Sequence, residues 1–460
     1  MSISSKLLLA GLSFFSCLLS LSANEKPNII YIMADDCTFN DLGCYGGQAK
    51  TPHIDQLATE GMLFEKCFQA APMCSPTRHN IYTGLYPVRS GAYPNHTFVK
   101  EGTKSLSHYL KPLGYRVALS GKTHISPRDI FKFEYSAKGN NPDMAVIESL
   151  MVESKKKGTP FCLLACSNEP HTPWDKGDTS QYPPAKVELP SNLVDTPETR
   201  EGYSKYLAEI TYYDQQVGDV LALLKKHGLA ENTLVVVTSE QGSEFPFAKW
   251  TCYDAGLQSA MIARWPGKIA AGKKSKAMVE YVDLCPTFIE VAGGKIPEGL
   301  DGKSFLPVLK GEKQEHKKHV FGMMTTRGII NGSEHYGIRS VRSETHKLIV
   351  NLTPDVEFRN IAMKTPFFLS WEALAKKGDA RAIYLVNRFK RRPAIELYNV
   401  VTDPLETKNI AGKEENSEII KSLRKELNEW MLEQGDLGQA TEMDAGNHQA
   451  KGRKKGKKKK

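Results

Sequence analysis

PNIIYIMADD, residues 27–36, sets an unbroken apolar run, Ile29 to Ala34, directly ahead of two aspartates. A short run rich in β-branched and aromatic residues, with no polar alternation, reads as a strand buried on both faces, the kind found in parallel sheets. Four more stretches read the same way: YRVALS (115–120), FCLLAC (161–166), TLVVVT (233–238) and AMIAR (260–264). Helical patterns lie between them. Residues 53–60 form one, stopped by Gly61. Residues 200–227 form a longer one: Tyr203, Leu207, Ile210, Tyr213, Val217, Val220 and Leu224 recur every three or four positions and make one core-facing stripe, with Gly228 as its stop. Strands alternating with helices predict an α/β fold, a mostly parallel sheet sandwiched by helices.

Past about residue 310 the texture changes. Short strands at 336–342 and 347–351, a helical stretch near 371–388 and a last helix at 417–433 predict a smaller C-terminal α+β domain with a short antiparallel sheet. The predicted division is a leader at 1–22, a large domain at 23–315, the small domain at 316–435 and a disordered basic tail at 436–460.

Several of the buried strands end in polar clusters: Asp35-Asp36, Gly121-Lys122-Thr123-His124 and Glu240-Gln241-Gly242. In open α/β sheets ligands sit beyond the carboxyl ends of the strands. Two adjacent carboxylates repel each other and need a cation or a proton. With Glu240 and the amide of Gln241 they make an all-oxygen set suited to a hard ion such as Ca²⁺ or Mg²⁺. Read singly, the acid pair is a helix cap or turn, and the Glu-Gln-Gly string a polar turn. Lys122 and His124, two apart, face one side if the segment is extended. His171, between Pro170 and Thr172-Pro173, sits in a stiff loop, and Lys249 follows Ala248. Each of these alone reads equally as a surface lysine or a satisfied histidine.

The string PMCSPTRHNIYTGLYP (72–87) puts Pro76 where it suits a helix's first turn, because its missing N–H costs nothing there. Residue 74 then lies at the helix N-terminus, where free N–H groups and the macrodipole favour an anion. Arg78, one turn on, can point back to the same spot. The string alone also reads as a buried structural cysteine before a short helix.

Composition bounds the rest. At 460 residues the chain can bury a large core. Residues 1–6, the apolar run Leu7–Leu21 and the small pair Ser22-Ala23 read as a secretory signal peptide, hence a secreted or periplasmic protein. Phe14-Phe15-Ser16 ahead of Cys17 makes a poor lipoprotein box, which ranks a lipid anchor second. No later stretch is apolar for long enough to span a bilayer. Nine cysteines do not make a disulfide framework; at most one pair is expected. Eight of the last ten residues are Lys or Arg with no acid among them, so of the net +9 only about one charge belongs to the rest. That tail could hold a polyanion or simply be solvated; no specific nucleic-acid partner is expected.

C-x-P-x-R at 74–78 with Thr83-Gly84 resembles the signature of the type I sulfatases of the alkaline phosphatase superfamily. The resemblance runs from Pro27 to about Ala411 in family order: PNIIYIMADD, DLGCYGG (41–47), TPHIDQLATEGM (51–62), CSPTR, TGLYP (83–87), GKTH (121–124), PHTPW (170–174), TSEQG (238–242), AKWTCYDAGLQSAMIARWPG (248–267) and ELYNVVTDP (396–404). It implies that Cys74 is oxidised to formylglycine by a formylglycine-generating enzyme, and that its hydrated aldehyde is a covalent nucleophile toward sulfur. It implies one Ca²⁺ bound by Asp35, Asp36, Glu240, Gln241 and residue 74, and sulfate held by Arg78, Lys122 and Lys249. His171, with Lys249, would protonate the leaving oxygen, and His124 would help expel sulfate. The chain has Glu at 240 where the family usually has Asp, Gln at 241 in place of Asn or His, Thr123 where Trp is common and Thr38 where Gly is common.

Residues 336–352 and 392–399 resemble the sulfamidase-like and polysaccharide-desulfating branches, which implies a sulfated carbohydrate, as O-sulfate ester or N-sulfate. Arg327, Arg339, Arg391 and Arg392 are then candidate contacts to an anionic sugar, or simply exposed arginines. Two other functions fit the same residues: a phosphate or phosphonate monoester hydrolase of that superfamily, and a non-catalytic binder of sulfated glycan. Oligomeric state is not legible.

Overall fold

The computed structural model describes residues 26–137 and 139–449. The expected leader and the Lys-rich end after 449 lie outside the described residues. Eight strands form one sheet in the order Lys273–Ser275, Met62–Phe64, Met261–Arg264, Thr233–Ser239, Asn28–Ala34, Phe161–Cys166, Arg116–Gly121, Glu134–Tyr135. Pairing is parallel except where Met261–Arg264 meets both its neighbours. Asn28–Ala34 lies in the middle, fully buried.

Alternate residues of that strand feed two cores, as the two-residue period requires. Ile30, Ile32 and Ala34 pack with Leu207, Ile210 and Val217 of the long helix Pro197–Lys226. Ile29, Tyr31 and Met33 pack with Ile81 and Tyr82 of the helix Cys74–Thr83 and with Phe288 of Leu284–Val291. The sheet therefore has helices on both faces. The long helix starts at Thr196, whose hydroxyl accepts from the Thr199 N–H, with Pro197 at its first position.

A second sheet of four antiparallel strands, Val320–Thr325, Gly337–Arg342, His346–Asn351 and Ile395–Asn399, forms the smaller layer. The helical stretch expected at 371–388 is two helices, Pro366–Lys376 and Ala380–Lys390. Gly378, at φ +95°, breaks the first, and the Asp379 carboxylate caps the second by accepting from Ala382 N–H.

The segment from 436, expected as disordered tail, is folded as far as the described residues reach, to 449. Residues 436–449 fold onto the small sheet, with a helix at Gln439–Asp444. Asp436 and Glu442 are buried against the guanidinium of Arg339, with Arg339 Nη2 2.9 Å from Glu442. These ion pairs correct two expectations, because they also commit Arg339 to the interior. Arg392 is likewise buried, 3.9 Å from the Phe358 ring centre, while Arg327 pairs with Gln449 and Arg391 is exposed. None of the four lines the chamber described below. The eight described cysteines are all free, so the one allowed disulfide pair is not formed among them.

Asp254 of the large layer clamps the small sheet, 2.9 Å from Arg342 and 2.7 Å from Lys347. Burial alone would raise its carboxyl, but Lys347 and Arg342 bring it down to about 2. A carboxyl lowered by folding stabilises the protein above its unfolded value and loses that contribution as pH falls through its folded one. The contribution is on the order of 2 kcal/mol. Glu406, 3.4 Å from Lys347, has the opposite sign: burial pushes it up to about 7, so its contribution is lost as pH rises toward that value. Asp254→Asn, which leaves two buried cations short of a partner, should cost about 3 kcal/mol in guanidinium unfolding at pH 7. The gap to wild type should narrow at pH 2.5; a gap independent of pH contradicts the ion-pair account.

Candidate active site

The carboxyl ends of two neighbouring strands, Asn28–Ala34 and Thr233–Ser239, supply the acids, and that of a third, Arg116–Gly121, two places along the sheet, supplies a lysine. The Asp35 N–H donates to Glu169 O at 3.0 Å and the Glu240 N–H to Ala34 O at 3.0 Å, so the ladder carries on just past the strand ends and fixes both residues. Gly121 makes the third turn possible: at φ +95°, any Cβ would lie 2.0 Å from Cys166 O. The Lys122 N–H, donating to Cys166 O at 2.9 Å, then brings that lysine over the site. Gly242 does the same for the 240–256 loop, where a Cβ would sit 1.8 Å from Ala255 O. Thr38 and Ser243 tie the two acidic loops together, their hydroxyls 3.0 Å apart, which gives Thr38 a role that sequence did not suggest.

Cys74 opens the helix Cys74–Thr83, all ten residues of which are buried. Its sulfur lies 3.5 Å from Asp35 Oδ1 and 3.4 Å from Gln241 Nε2. Burial, with Asp35 adding repulsion, pushes the thiol well up, so it is not a thiolate. Arg78, one turn on, has Nε 2.5 Å from Glu240 Oε1, Nη2 3.5 Å from Asp35, and Nη1 donating to Lys122 O at 2.8 Å. Lys122 pairs with Asp35, and Lys249 lies 2.5 Å from Asp36. Three fully buried carboxylates thus face three cations. Burial tends to raise the Asp35 carboxyl, yet Lys122, His171 and Arg78 hold it well below the usual range. Burial dominates at Asp36, raised to about 6, and at Glu240, also raised, where Asp35 is a repelling neighbour.

His171 Nδ1 meets the Thr172 carbonyl at 2.6 Å and must donate to it, so a second proton on this ring sits on Nε2. Nε2 is 3.6 Å from Asp36 and 3.7 Å from Glu244. Glu244, buried, accepts from the Thr172 hydroxyl at 2.6 Å and lies 3.4 Å from Lys249. Sequence reading missed Glu244, although an acid two residues beyond Gly242 was a usable signal. It also missed His96, 2.9 Å from His124, for which the surrounding string gives none. A cavity of about 580 Å³ joins these groups; Cys74, Lys122, His124, His171 and Lys249 line it with Thr123, Glu244 and Ile330. All the residues predicted for the site converge here, although Lys122 and His124 arrive on a turn, with His124 at φ +45°, rather than on an extended segment.

The donor set suits a hard divalent cation. Asp35, Asp36, Glu240 and Cys74 each bring one ligand atom within 4.8 Å of the others. Gln241 Oε1 is buried with no hydrogen-bond partner, while its amide nitrogen faces Asp36, Glu240 and Cys74. Turning that amide over sets a fourth oxygen among the acids. The longer Glu and Gln side chains therefore still reach the cluster.

The sulfatase family model matches residues 27–294, and the C-terminal model of N-sulphoglucosamine sulphohydrolase matches 242–364. An ulvan-active sulfatase of Formosa agariphila is 33% identical over 432 residues, 91% of this chain and 82% of that one. Human N-sulphoglucosamine sulphohydrolase is 26% identical over 473 residues, 91% and 92% of the two chains. A structure solved with D-glucosamine-2-N,6-O-disulfate as its substrate superposes with TM-score 0.66 at 21% identity, over 90% of this chain and 99% of that one.

Proposed function

This chain belongs to the sulfatase family and is a sulfuric ester hydrolase, and we propose that it desulfates a carbohydrate using residue 74 as formylglycine beside one Ca²⁺. The observation that carries the reading is the placing of Cys74 at a buried helix N-terminus among Asp35, Asp36, Glu240, Arg78, Lys122 and Lys249, at the floor of a chamber large enough for a sugar. The human relative named for N-sulphoglucosamine and the structure solved with a glucosamine disulfate support a carbohydrate.

Asp35, Asp36, Glu240 and Gln241 would hold the ion, which when bound supplies positive charge for the nucleophilic oxygen and the sulfate. Cys74 itself is a neutral buried thiol; oxidation to the aldehyde, by a maturation enzyme, replaces it with a hydratable carbonyl. Arg78, Lys122 and Lys249 are gathered beside residue 74 by carboxylates before substrate arrives, so the positive charge that sulfate oxygens need is already at the site and would be freed for them once the ion neutralises those acids. His171, its Nδ1 spent on Thr172 O, can deliver a proton only from Nε2, toward the leaving oxygen. Thr123 gives the leaving group more room than the common Trp would. The leader-like residues 1–22 support export to the periplasm or beyond.

The test is turnover of 4-nitrophenyl sulfate against 4-nitrophenyl phosphate, then sulfate release from defined N- and O-sulfated saccharides. Sulfate should be the faster ester, and at least one saccharide should be desulfated. Faster phosphate turnover would transfer the protein to the phosphomonoester hydrolases. Retained glycan binding with no sulfate release would make it a binder.

A further inference from the structure

His96 and His124 meet at the wall of the chamber. His124 Nε2 is 2.9 Å from His96 Nδ1, and the rings are 4.8 Å apart, tilted by 47°. The other ring nitrogen of His124, Nδ1, is buried and has no hydrogen-bond partner. Both residues occupy the left-handed region, His96 at φ +56° and His124 at φ +45°. Strained backbone of this kind persists only where its surroundings over-determine it, and it clusters at functional sites.

The surroundings here do so. The Ser75 hydroxyl donates to His124 O at 3.0 Å and accepts from the Thr97 N–H at 3.3 Å, so the residue next to Cys74 bridges both histidine segments. On the other side the Asn95 N–H donates to Arg327 O at 3.2 Å, and the Thr97 hydroxyl donates to His448 O at 2.7 Å. The clamp thus includes the small layer and the folded segment after 436.

We infer that His96 is a positioning residue: its Nδ1 accepts from His124 Nε2–H, fixing the ring and tautomer of His124 so that Nδ1 is a bare, buried acceptor on a residue of the chamber wall. The inference rests on the reading of this chamber as the sulfatase site. A single shared proton allows two arrangements. If His96 Nδ1 donated instead, His124 would carry its hydrogen on Nδ1, as a buried donor without acceptor. Orphaned N–H groups are rarer than under-used acceptors. Lys122 and Arg78 lie close enough to His124 to oppose positive charge on it, and cations favour a lone pair over an N–H beside them. His96 is exposed, so the hydrogen on its Nε2 can be solvated. The arrangement matches the one in which a histidine's outer hydrogen bond decides which nitrogen does chemistry.

The experiment uses His96→Gly, which relaxes a positive φ, with His96→Asn and His96→Leu. Asn tolerates this φ, and its Oδ1 takes the place of Nδ1 as acceptor. On 4-nitrophenyl sulfate, His96→Gly and His96→Leu should lower kcat about 10- to 100-fold with KM changed less than about threefold. Asn, or imidazole added to the Gly variant, should restore most of the loss; imidazole should do nothing for Leu. In ¹⁵N histidine spectra of wild type, assigned by difference with His124→Gln, the His124 proton should sit on Nε2, and the Leu variant should lose that preference. Wild-type kcat in the Gly and Leu variants, a loss confined to KM, Asn no better than Leu, or a proton on Nδ1 overturns the inference. If wild type releases no sulfate from any ester, the preceding reading falls, and the nitrogen spectrum still decides the tautomer.

Discussion

Cys74→Ala should reduce sulfate-ester turnover to the uncatalysed background, a loss on the order of 10⁵-fold or more, while leaving the protein folded. Removing a covalent nucleophile takes away the step on which the other groups act, so their separate contributions collapse together. The fold should survive because the Cys74 side chain makes only weak sulfur contacts, at 3.5 Å to Asp35 and 3.4 Å to Gln241. The helix is held elsewhere: the Thr77 hydroxyl bonds Ala71 O at 2.6 Å, and Gly84 closes the C-terminus with its N–H on Asn80 O. The change should shift unfolding by no more than about 1 kcal/mol. Cys74→Ser should be as inactive in a host that oxidises only cysteine. Peptide mass spectrometry over residue 74 of active wild type should show sulfur lost and one oxygen gained. Fully active protein with an intact thiol would end the formylglycine mechanism.

Removing the divalent ion should be almost as severe. Chelation should lower turnover by at least about 10³-fold, with recovery on adding Ca²⁺. The cations meant for sulfate are those that neutralise the acids: Lys122 on Asp35, Lys249 on Asp36, Arg78 on Glu240. A divalent charge among the carboxylates lets these three turn toward substrate; without it they stay committed to their partners. Ca²⁺ at 100 times its Kd should also raise stability by about 2.7 kcal/mol, read as a rise in Tm. Asp36→Asn should shrink that rise. Undiminished turnover in protein shown by elemental analysis to be metal-free would refute the ion's role.

Much of this site was legible because it is written in local signals. The acids of 35–36, the lysine of 122 and the acid of 240 each follow a buried apolar run, and the rule that ligands lie beyond strand ends gathers them without coordinates. Pro76 and the Cys74–Arg78 spacing place a cysteine at a helix start, as found. The long helix was readable from its stripe, though its start lies at Pro197, where Thr196 caps it. Reading failed where long-range contacts decide. Arg339 looked like a surface cation until Asp436 and Glu442, about a hundred residues on, were found buried against it. The same pairing turned an expected tail into folded structure.

Periodicity, caps and turn residues act over a few neighbours, so this sequence by itself determined the strands and helices, the α/β class and the order of the acidic and basic clusters. Only the tertiary structure decided which buried charges pair, that Glu244 joins His171 and Lys249, and that His96 stands behind His124. Those contacts join residues as much as 213 apart in the chain, and in a low-dielectric interior the partner a charge meets, rather than its place in the chain, sets its state.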